Sequence, residues 1–211
     1  MSLAPARRLV RGLYAMTPDE PDTDRLVAAV SDAISGGARL VQYRNKTAPE
    51  RLRVEQARAL KALCESLSAA LIVNDYVELA LESGADGIHL GGEDGSCAEA
   101  RRKLGTAKLI GISCYDRIAL AREAERAGAD YVAFGSFFPS RIKPGAVQAP
   151  LAILAQARRE LGVPIVAIGG ITSANAASLV QAGADAVAVI SALFDAPDVA
   201  AAARRFEASL A

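Results

Sequence analysis

Short apolar segments alternate along the chain with longer stretches that carry apolar residues at helical spacing. Several of these segments are nearly continuous in Val, Ile and Ala, which is typical of strands buried on both faces of a parallel sheet. The predicted strands are residues 12–16, 40–44, 71–74, 87–90, 109–113, 131–135, 165–168 and 186–190. Helices are predicted between them, among others at residues 51–66, 118–127, 150–161 and 174–182. This alternation predicts an α/β fold.

A short repeat marks the boundaries between helices and strands. Its copies are Gly37-Ala38-Arg39, Gly84-Ala85-Asp86, Gly128-Ala129-Asp130 and Gly183-Ala184-Asp185, each between a helical stretch and an apolar segment. Glycine can adopt the left-handed conformation that ends a helix. Copies recur about every two strand–helix units, so the chain is predicted to be a single (β/α)8 TIM barrel domain over residues 1–211. A doubly wound open sheet is the alternative, but no GxGxxG motif follows the first strand.

One predicted helix also has a recognisable N-terminal motif. Thr47-Ala48-Pro49-Glu50 has the form of a capping box with a proline in the first turn, and it predicts that a helix begins there.

Composition and charge narrow the classes of function. The 211 residues contain 24 Lys and Arg and 24 Asp and Glu, so the formal net charge is zero. A neutral chain lacks the basic surface of a dedicated nucleic-acid or membrane-surface binder. No apolar stretch approaches the roughly 18 residues of a membrane span, and no secretory signal is evident. We therefore expect a cytoplasmic protein without nucleic-acid or membrane partners, and a homo-oligomer is compatible with the sequence. Its three scattered cysteines are expected to be buried structural residues.

Active sites of such barrels lie at the carboxyl ends of the strands, and polar residues gather there in this sequence. Arg44, Lys46 and Lys143 place three cations at this rim, which suits a dense anion such as a diphosphate. Asp75 and Asp94 follow neighbouring strands and offer the oxygen ligands that Mg²⁺ prefers. The pattern predicts a magnesium-dependent diphosphate site.

A second anion site is predicted near the end of the chain. Gly169-Gly170 follows the seventh strand and Ser191 follows the eighth, where many barrels hold a phosphate on backbone N–H groups. His89, the single histidine, is expected to have a structural hydrogen-bonding role. Cys114 is not expected to be a nucleophile, because no second histidine exists to activate it.

Taken together, the motifs resemble those of the thiamine phosphate synthase family, in order and over nearly the whole chain. They are Val41-Gln42-Tyr43-Arg44-Asn45-Lys46, Ile72-Val73-Asn74-Asp75, Gly87-Ile88-His89-Leu90-Gly91, Glu93-Asp94, Ile110-Gly111-Ile112-Ser113, Ala133-Phe134-Gly135 and Ala167-Ile168-Gly169-Gly170-Ile171. The resemblance implies a transferase of thiamine biosynthesis that joins 4-amino-2-methyl-5-hydroxymethylpyrimidine diphosphate to 4-methyl-5-hydroxyethylthiazole phosphate and releases diphosphate. It also implies a dissociative reaction, in which diphosphate leaves before the thiazole nitrogen attacks.

The same resemblance assigns roles to individual residues. It implies that the pyrimidine diphosphate is held by Gln42, Tyr43, Arg44, Asn45, Lys46, Asn74, Ser113 and Lys143. Of these, Arg44, Lys46, Ser113 and Lys143 would act directly in catalysis, and Asp75 and Asp94 would bind Mg²⁺. The thiazole phosphate would be held by Ser140, Arg141, Ile142, Gly170, Ile190 and Ser191.

The chain departs from the family pattern at three places. Ser140-Arg141-Ile142-Lys143 stands where the family usually has Thr-x-Thr-Lys, so only one of the two hydroxyl residues is kept. Gly92 replaces a common Gln, and Tyr115 stands where a His often follows the Ser. Two other functions remain open for this sequence: a thiazole tautomerase-like isomerase on the same barrel, and a non-catalytic barrel that binds thiamine precursors.

Overall fold

Eight parallel strands form a closed barrel in the order β1 to β8, so the predicted (β/α)8 fold is confirmed. The computed structural model describes residues 9–92, 95–139, 145 and 147–210. The strands are β1 Gly12–Met16, β2 Leu40–Tyr43, β3 Ala70–Asn74, β4 Gly87–Leu90, β5 Leu109–Tyr115, β6 Tyr131–Phe134, β7 Ile165–Ile168 and β8 Ala186–Val189. Pairing of β1 with β8 closes the barrel.

Helices cover the outside of the barrel between successive strands. In the described part of the chain they are α1 Thr23–Ser35, α2 Glu50–Ser66, α3 Val77–Glu82, α4 Cys97–Leu104, α5 Ile118–Arg126, α6 Ala152–Glu160, α7 Ala176–Ala182, α8 Ser191–Phe194 and α9 Val199–Leu210. None of these helices is long and apolar enough to cross a membrane.

The predicted boundaries differ from the observed ones at a few strand ends. Arg44, Gly135 and Ile190 were predicted as strand residues but follow their strands, and β5 runs on to Tyr115 across an irregularity in its pairing with β6. Helix α2 does begin at Glu50, but the predicted capping box is wrong. Pro49 occupies the N-cap position without a side-chain hydrogen bond, and the Thr47 hydroxyl donates to Asn45 Oδ1 instead.

Residues alternate along each strand between two apolar layers, as expected for a barrel. One cluster packs between strands and helices and includes Val41, Tyr43 and Cys114. A second cluster fills the barrel interior and includes Tyr14, Ile72 and Tyr131. The alternation therefore decides which strand residues face the axis of the barrel.

The repeat is a device that joins strands at the N-terminal face of the barrel. Its glycines have φ of 125°, 71°, 93° and 123° at positions 37, 84, 128 and 183, so the predicted left-handed conformation is confirmed. In three copies the aspartate accepts a backbone N–H from the start of an earlier strand: Asp86 from Leu71, Asp130 from Ile110 and Asp185 from Ile165. Each also pairs with a cation of a helix, Lys61, Arg101 or Arg158 respectively.

The remaining copy, which is the first along the chain, carries Arg39 in place of the aspartate, and a distant residue supplies the missing carboxylate. Glu207 of α9 accepts the backbone N–H of Leu13 in β1 at 3.0 Å. Its side chain also lies against Gly12 and Gly37, where a Cβ would meet Glu207 atoms at 3.1 Å and 2.5 Å. The last helix thereby completes the clamp of the first strand.

A cavity of about 730 Å³ opens at this N-terminal face, lined among others by Arg11, Arg39, Arg158 and Glu207. Its lining includes none of the predicted site residues that the structure describes, and these belong to the opposite end of the barrel.

Candidate active site at the C-terminal mouth

The segment after β2 is held in place by the segment after β1. The buried Thr17 hydroxyl donates to Arg44 O and accepts the Arg44 N–H, both at 2.9 Å. Thr17 N also donates to Gln42 O, which extends the β1–β2 pairing to the rim. These contacts fix the backbone from which the predicted cations project.

Charges of alternating sign form a chain along this rim. Arg44 Nη1 lies 3.2 Å from Asp19 Oδ1, and the Lys46 backbone N–H donates to the same oxygen at 2.7 Å. Lys46 Nζ lies 3.2 Å from Asp75 Oδ2. We call Arg44, Asp19, Lys46 and Asp75 the rim charge chain. The Arg44 side chain is 13% exposed and that of Lys46 is 48% exposed. The structure therefore brings the predicted diphosphate ligand Lys46 beside the predicted metal ligand Asp75, and Asp19 contacts both Lys46 and Arg44.

Asp75 stands at a strained position directly after β3. Its φ is 64°, in the left-handed region, and its backbone N–H donates to His89 O at 2.9 Å. This conformation directs the residue after the strand end onto the rim, where its side chain is 13% exposed. A carboxylate that is held by a lysine and still reaches solvent is a donor that fits Mg²⁺, which takes one or two protein carboxylates and completes its shell with water and phosphate oxygens. The other predicted ligand, Asp94, lies outside the described residues.

No group of three or more His, Cys, Asp or Glu side chains with metal-site spacing occurs among the described residues.

Gln42 and Ser113 face the barrel interior below the rim. Gln42 is 1% exposed, and its Nε2 donates to the Tyr14 hydroxyl at 2.9 Å. Its Oε1 is buried without a hydrogen-bond partner among the described residues. Ser113 Oγ lies 2.9 Å from His89 Nε2. Asn74, which ends β3, is 9% exposed. Three of the predicted pyrimidine contacts therefore lie in the C-terminal halves of β2, β3 and β5.

The side chains of Tyr43 and Asn45 make hydrogen bonds to α2 and to the segments around it. The Tyr43 hydroxyl donates to Gln56 Oε1 of α2 at 2.8 Å, and burial raises the pKa of Tyr43. Asn45 Nδ2 donates to Gln56 Oε1 and Glu20 O, while its Oδ1 accepts the Ala48 N–H. These side chains hold α2 against the barrel, and the contacts of both residues to the pyrimidine diphosphate stay predictions.

Both glycines after β7 are required by close packing against the segment after β6. A Cβ on Gly169, with φ of 102°, would lie 2.0 Å from Ser136 Oγ. A Cβ on Gly170, with φ of 64°, would lie 2.4 Å from Pro139 O. Ile190 and Ser191 follow β8, and Ser191 begins α8. The predicted contacts at Ser140, Arg141, Ile142 and Lys143 lie outside the described residues, directly after this packed segment.

Two of the departures from the family pattern touch each other. Gly92 N donates to the Tyr115 hydroxyl at 3.1 Å, and a Cβ at position 92 would lie 3.2 Å from that oxygen. Sequence alone presents them as separate changes, 23 residues apart. The structure joins them into one contact beside the segment that leads to Asp94.

His89 and the cysteines behave as expected. His89 is buried and its ring nitrogens contact the Tyr131 and Ser113 hydroxyls, which agrees with the expected hydrogen bonding. Cys64, Cys97 and Cys114 are free and buried. Burial raises the pKa of Cys114 to about 12, which leaves it a poor nucleophile.

The sequence analysis missed Thr17, Asp19, Tyr14 and Tyr131. A usable signal existed for Thr17 and Asp19, since they follow the first strand and belong to the same rim as the residues after the other strands. Tyr14 and Tyr131 are hydrophobic strand residues that carry a polar atom into the interior, and no local pattern distinguishes them from packing residues.

Comparisons with known proteins agree with this arrangement. A family model described as thiamine monophosphate synthase matches residues 13–193. A thiamine-phosphate synthase of Thiobacillus denitrificans is 57% identical over 192 residues, which are 91% of this chain and 91% of that protein. One from Chromobacterium violaceum is also 57% identical, over 92% of this chain and 94% of its own length.

Solved structures extend the comparison to the fold. A thiamine phosphate pyrophosphorylase from Pyrococcus furiosus has a TM-score of 0.87 and 35% identity, covering 97% of this chain and 96% of that one. A 3-hexulose-6-phosphate synthase, at TM-score 0.71 and 19% identity, shares the barrel alone. Because the family model spans the barrel from β1 to α8 and the relatives match over nine-tenths of the chain, this chain belongs to the thiamine monophosphate synthase family and is a transferase of thiamine biosynthesis.

Proposed function

We propose that the C-terminal mouth of this barrel condenses the aminopyrimidine diphosphate with the thiazole phosphate at the residues described above. The rim charge chain is the observation that carries the proposal. In it the Lys46 ammonium pairs with the Asp75 carboxylate, and Asp19 joins the Lys46 backbone to the Arg44 guanidinium, at the end of the barrel where such enzymes bind substrate.

Arg44 and Lys46 would bind the diphosphate. Asp19 holds both residues before any ligand arrives, because it accepts from the Arg44 guanidinium and from the Lys46 backbone. A cation that is already oriented stabilises developing negative charge without reorganising at the moment of reaction. Lys143 would supply a third cation from the segment after β6.

Asp75 and Asp94 would hold Mg²⁺ together with the diphosphate. When bound, this ion would neutralise negative charge on the leaving group. The Lys46–Asp75 ion pair would meanwhile hold the carboxylate on the rim.

The proposed reaction breaks the C–O bond to the diphosphate first, and the electron pair leaves with the diphosphate. The lone pair of the thiazole nitrogen then forms the new C–N bond to the pyrimidine methylene carbon. No proton is transferred in these steps, which agrees with a mouth whose only histidine is occupied by Tyr131 and Ser113. The protein's work is to bind, orient and neutralise charge.

The thiazole phosphate would bind near Gly170, Ile190 and Ser191, on the β7–β8 side of the mouth. Isoleucine at 142 has no hydroxyl to donate, whereas the neighbouring Arg141 carries a forked set of charged donors. We therefore assign Arg141 the phosphate contact that a hydroxyl residue makes in the usual family pattern.

Partners follow from the same proposal. Both substrates are small molecules, and the neutral charge supports neither nucleic-acid nor membrane binding. We place the reaction in the cytoplasm, and a homo-oligomer is compatible with the proposal.

The decisive assay combines both substrates with Mg²⁺ and measures diphosphate release and thiamine phosphate formation. Lys46→Ala should lower kcat by about a hundredfold, since it removes one preorganised contact to the leaving group. Lys103→Ala is the matched control: Lys103 also pairs with a carboxylate, Glu78, but on the surface between α3 and α4. It should leave turnover unchanged.

Other outcomes would overturn the proposal. Interconversion of thiazole isomers without the pyrimidine diphosphate would identify the isomerase. Binding of both compounds without diphosphate release by the unaltered protein would identify a non-catalytic barrel. Equal turnover in Lys46→Ala and Lys103→Ala would remove the rim charge chain from the mechanism.

A further inference from the structure

Five polar side chains form an unbroken hydrogen-bonded row through the barrel interior. Gln42 Nε2 donates to the Tyr14 hydroxyl at 2.9 Å, and the Tyr14 and Tyr131 hydroxyl oxygens lie 2.9 Å apart. The Tyr131 hydroxyl lies 3.1 Å from His89 Nδ1, and His89 Nε2 lies 2.9 Å from Ser113 Oγ. We call these residues the interior row. Its two ends, Gln42 and Ser113, are both predicted substrate contacts, whereas its three middle residues have no assigned role in the reaction.

Packing holds the middle of the interior row in one arrangement. Tyr131 stacks on His89 with ring centroids 5.6 Å apart, and Tyr14 meets Tyr131 edge-on at 6.1 Å. Gly111 of β5 leaves the space for Tyr131, since a Cβ there would lie 2.0 Å from its ring. Burial raises the pKa of both Tyr14 and Tyr131, so both keep their hydroxyl hydrogens at neutral pH.

The number of hydrogens that each side chain can donate fixes the direction of the hydrogen bonds along the interior row. A phenol has one hydrogen to donate. Because Tyr14 already accepts from Gln42, its hydrogen goes to Tyr131, its other partner among the described residues. Tyr131 then donates to His89 Nδ1. A neutral imidazole that accepts at Nδ1 carries its hydrogen on Nε2.

The two ends of the row consequently differ in polarity. By this count the hydrogen on His89 Nε2 goes to Ser113 Oγ, 2.9 Å away, which leaves the Ser113 hydroxyl hydrogen for a ligand. At the other end, Gln42 Oε1 is a buried acceptor without a partner in the described part of the chain. Such an atom lowers stability until a donor reaches it. The row thus ends in one donor, at Ser113, and one acceptor, at Gln42.

We infer that Tyr14, Tyr131 and His89 are positioning residues that fix the polarity of Ser113 and Gln42 toward the substrate. A ring that carries an exocyclic amino group and a ring-nitrogen acceptor, as an aminopyrimidine does, complements this pair. The inference rests on the proposed function, because it concerns the site for the pyrimidine diphosphate. Changes at the three middle residues should therefore affect the binding and reaction of the pyrimidine diphosphate and not the binding of the thiazole phosphate.

A double-mutant cycle tests whether Tyr131 acts through Ser113. Tyr131→Phe keeps the ring in its packed position and removes only the hydroxyl. It should lower kcat/KM for the pyrimidine diphosphate about tenfold while leaving KM for the thiazole phosphate unchanged. In a Ser113→Ala background the same change should have almost no further effect, since residues acting in one hydrogen-bonded unit are not additive.

Two more variants separate positioning from simple stability. Ser83→Ala removes another buried hydroxyl, which donates to Leu79 O at the end of α3, and should change neither KM nor kcat. His89→Gln offers an amide donor near the former Nε2, so it should retain more kcat/KM than His89→Leu.

Additive effects of Tyr131→Phe and Ser113→Ala would overturn the inference, as would equal losses for both substrates. Equal activity of His89→Gln and His89→Leu would also overturn it. Failure of the unaltered protein to release diphosphate would instead refute the proposed function, so the two failures are distinguishable.

Discussion

The strand clamp at Asp130 allows a stability prediction worked from its contacts. Asp130 is buried, and its Oδ2 accepts the Ile110 N–H at 2.8 Å and pairs with the Arg101 guanidinium. Asp130→Ala leaves that buried N–H without a partner, at a cost of about 1–3 kcal/mol. Removing one member of a buried ion pair costs about 3–5 kcal/mol. Arg101 retains the carbonyl oxygens of Gly105, Lys108 and Gly128, which reduces the second cost.

We therefore expect Asp130→Ala to lower the free energy of unfolding by about 3–5 kcal/mol in total. In a chain of this length, this corresponds to a fall in Tm of about 6–20 °C. Asp185→Ala should cost less, since its partner Arg158 is 48% exposed and exposed ion pairs contribute little. Asp130→Asn should lie between Asp130→Ala and the unaltered protein, because its amide oxygen can still accept the Ile110 N–H.

Urea unfolding followed by circular dichroism measures these differences. Glu82→Ala is the control, because Glu82 forms an exposed ion pair with Arg58 and should change stability by less than about 0.5 kcal/mol. Turnover per folded molecule should be unchanged in all variants, since the clamps lie at the face opposite the mouth. If Asp130→Ala were no less stable than Glu82→Ala, the clamp would contribute nothing and the repeat would have no structural role.

Three further results are expected. Lys143→Ala should lower turnover about a hundredfold with little change in KM for the thiazole phosphate, and the opposite split in steady-state kinetics would assign Lys143 to that substrate instead. Arg141→Ala should raise KM for the thiazole phosphate about ten- to a hundredfold, because a charge-assisted hydrogen bond contributes about 1.5–3 kcal/mol; no change in KM would show that Gly170 and Ser191 hold the phosphate alone. Burial raises the pKa of Tyr14, so the folded state keeps a proton that the unfolded state loses above about pH 10, and the free energy of unfolding should fall there by about 1.4 kcal/mol per pH unit for this residue. Tyr14→Phe should make that fall shallower by the same amount in alkaline urea titrations, and an unchanged slope would contradict the burial argument.

The positions of the site residues were accessible from sequence wherever a strand end was recognised. Arg44, Lys46 and Asp75 could be assigned to one rim because all parallel strands of a barrel end at the same face. The direction of Tyr43 was also accessible, since neighbours alternate along a strand and Gln42 faces inward. Asn45 was not, because its four hydrogen bonds depend on how α2 and the segment near Glu20 pack.

The sequence by itself determined the barrel and the glycines that end its helices. Strand periodicity and the left-handed glycines at 37, 84, 128 and 183 are local properties of the chain. They can therefore be predicted without knowing which distant residues are in contact. Only the tertiary structure decided that Glu207 supplies the carboxylate that the repeat lacks at Arg39. Glu207 is 194 residues away in the chain from Leu13, whose N–H it accepts. It likewise decided that Tyr14 and Tyr131, 117 residues apart, meet inside the barrel and join Gln42 to Ser113. Such contacts arise when the closing sheet brings separate strands face to face, and no spacing along the chain encodes them.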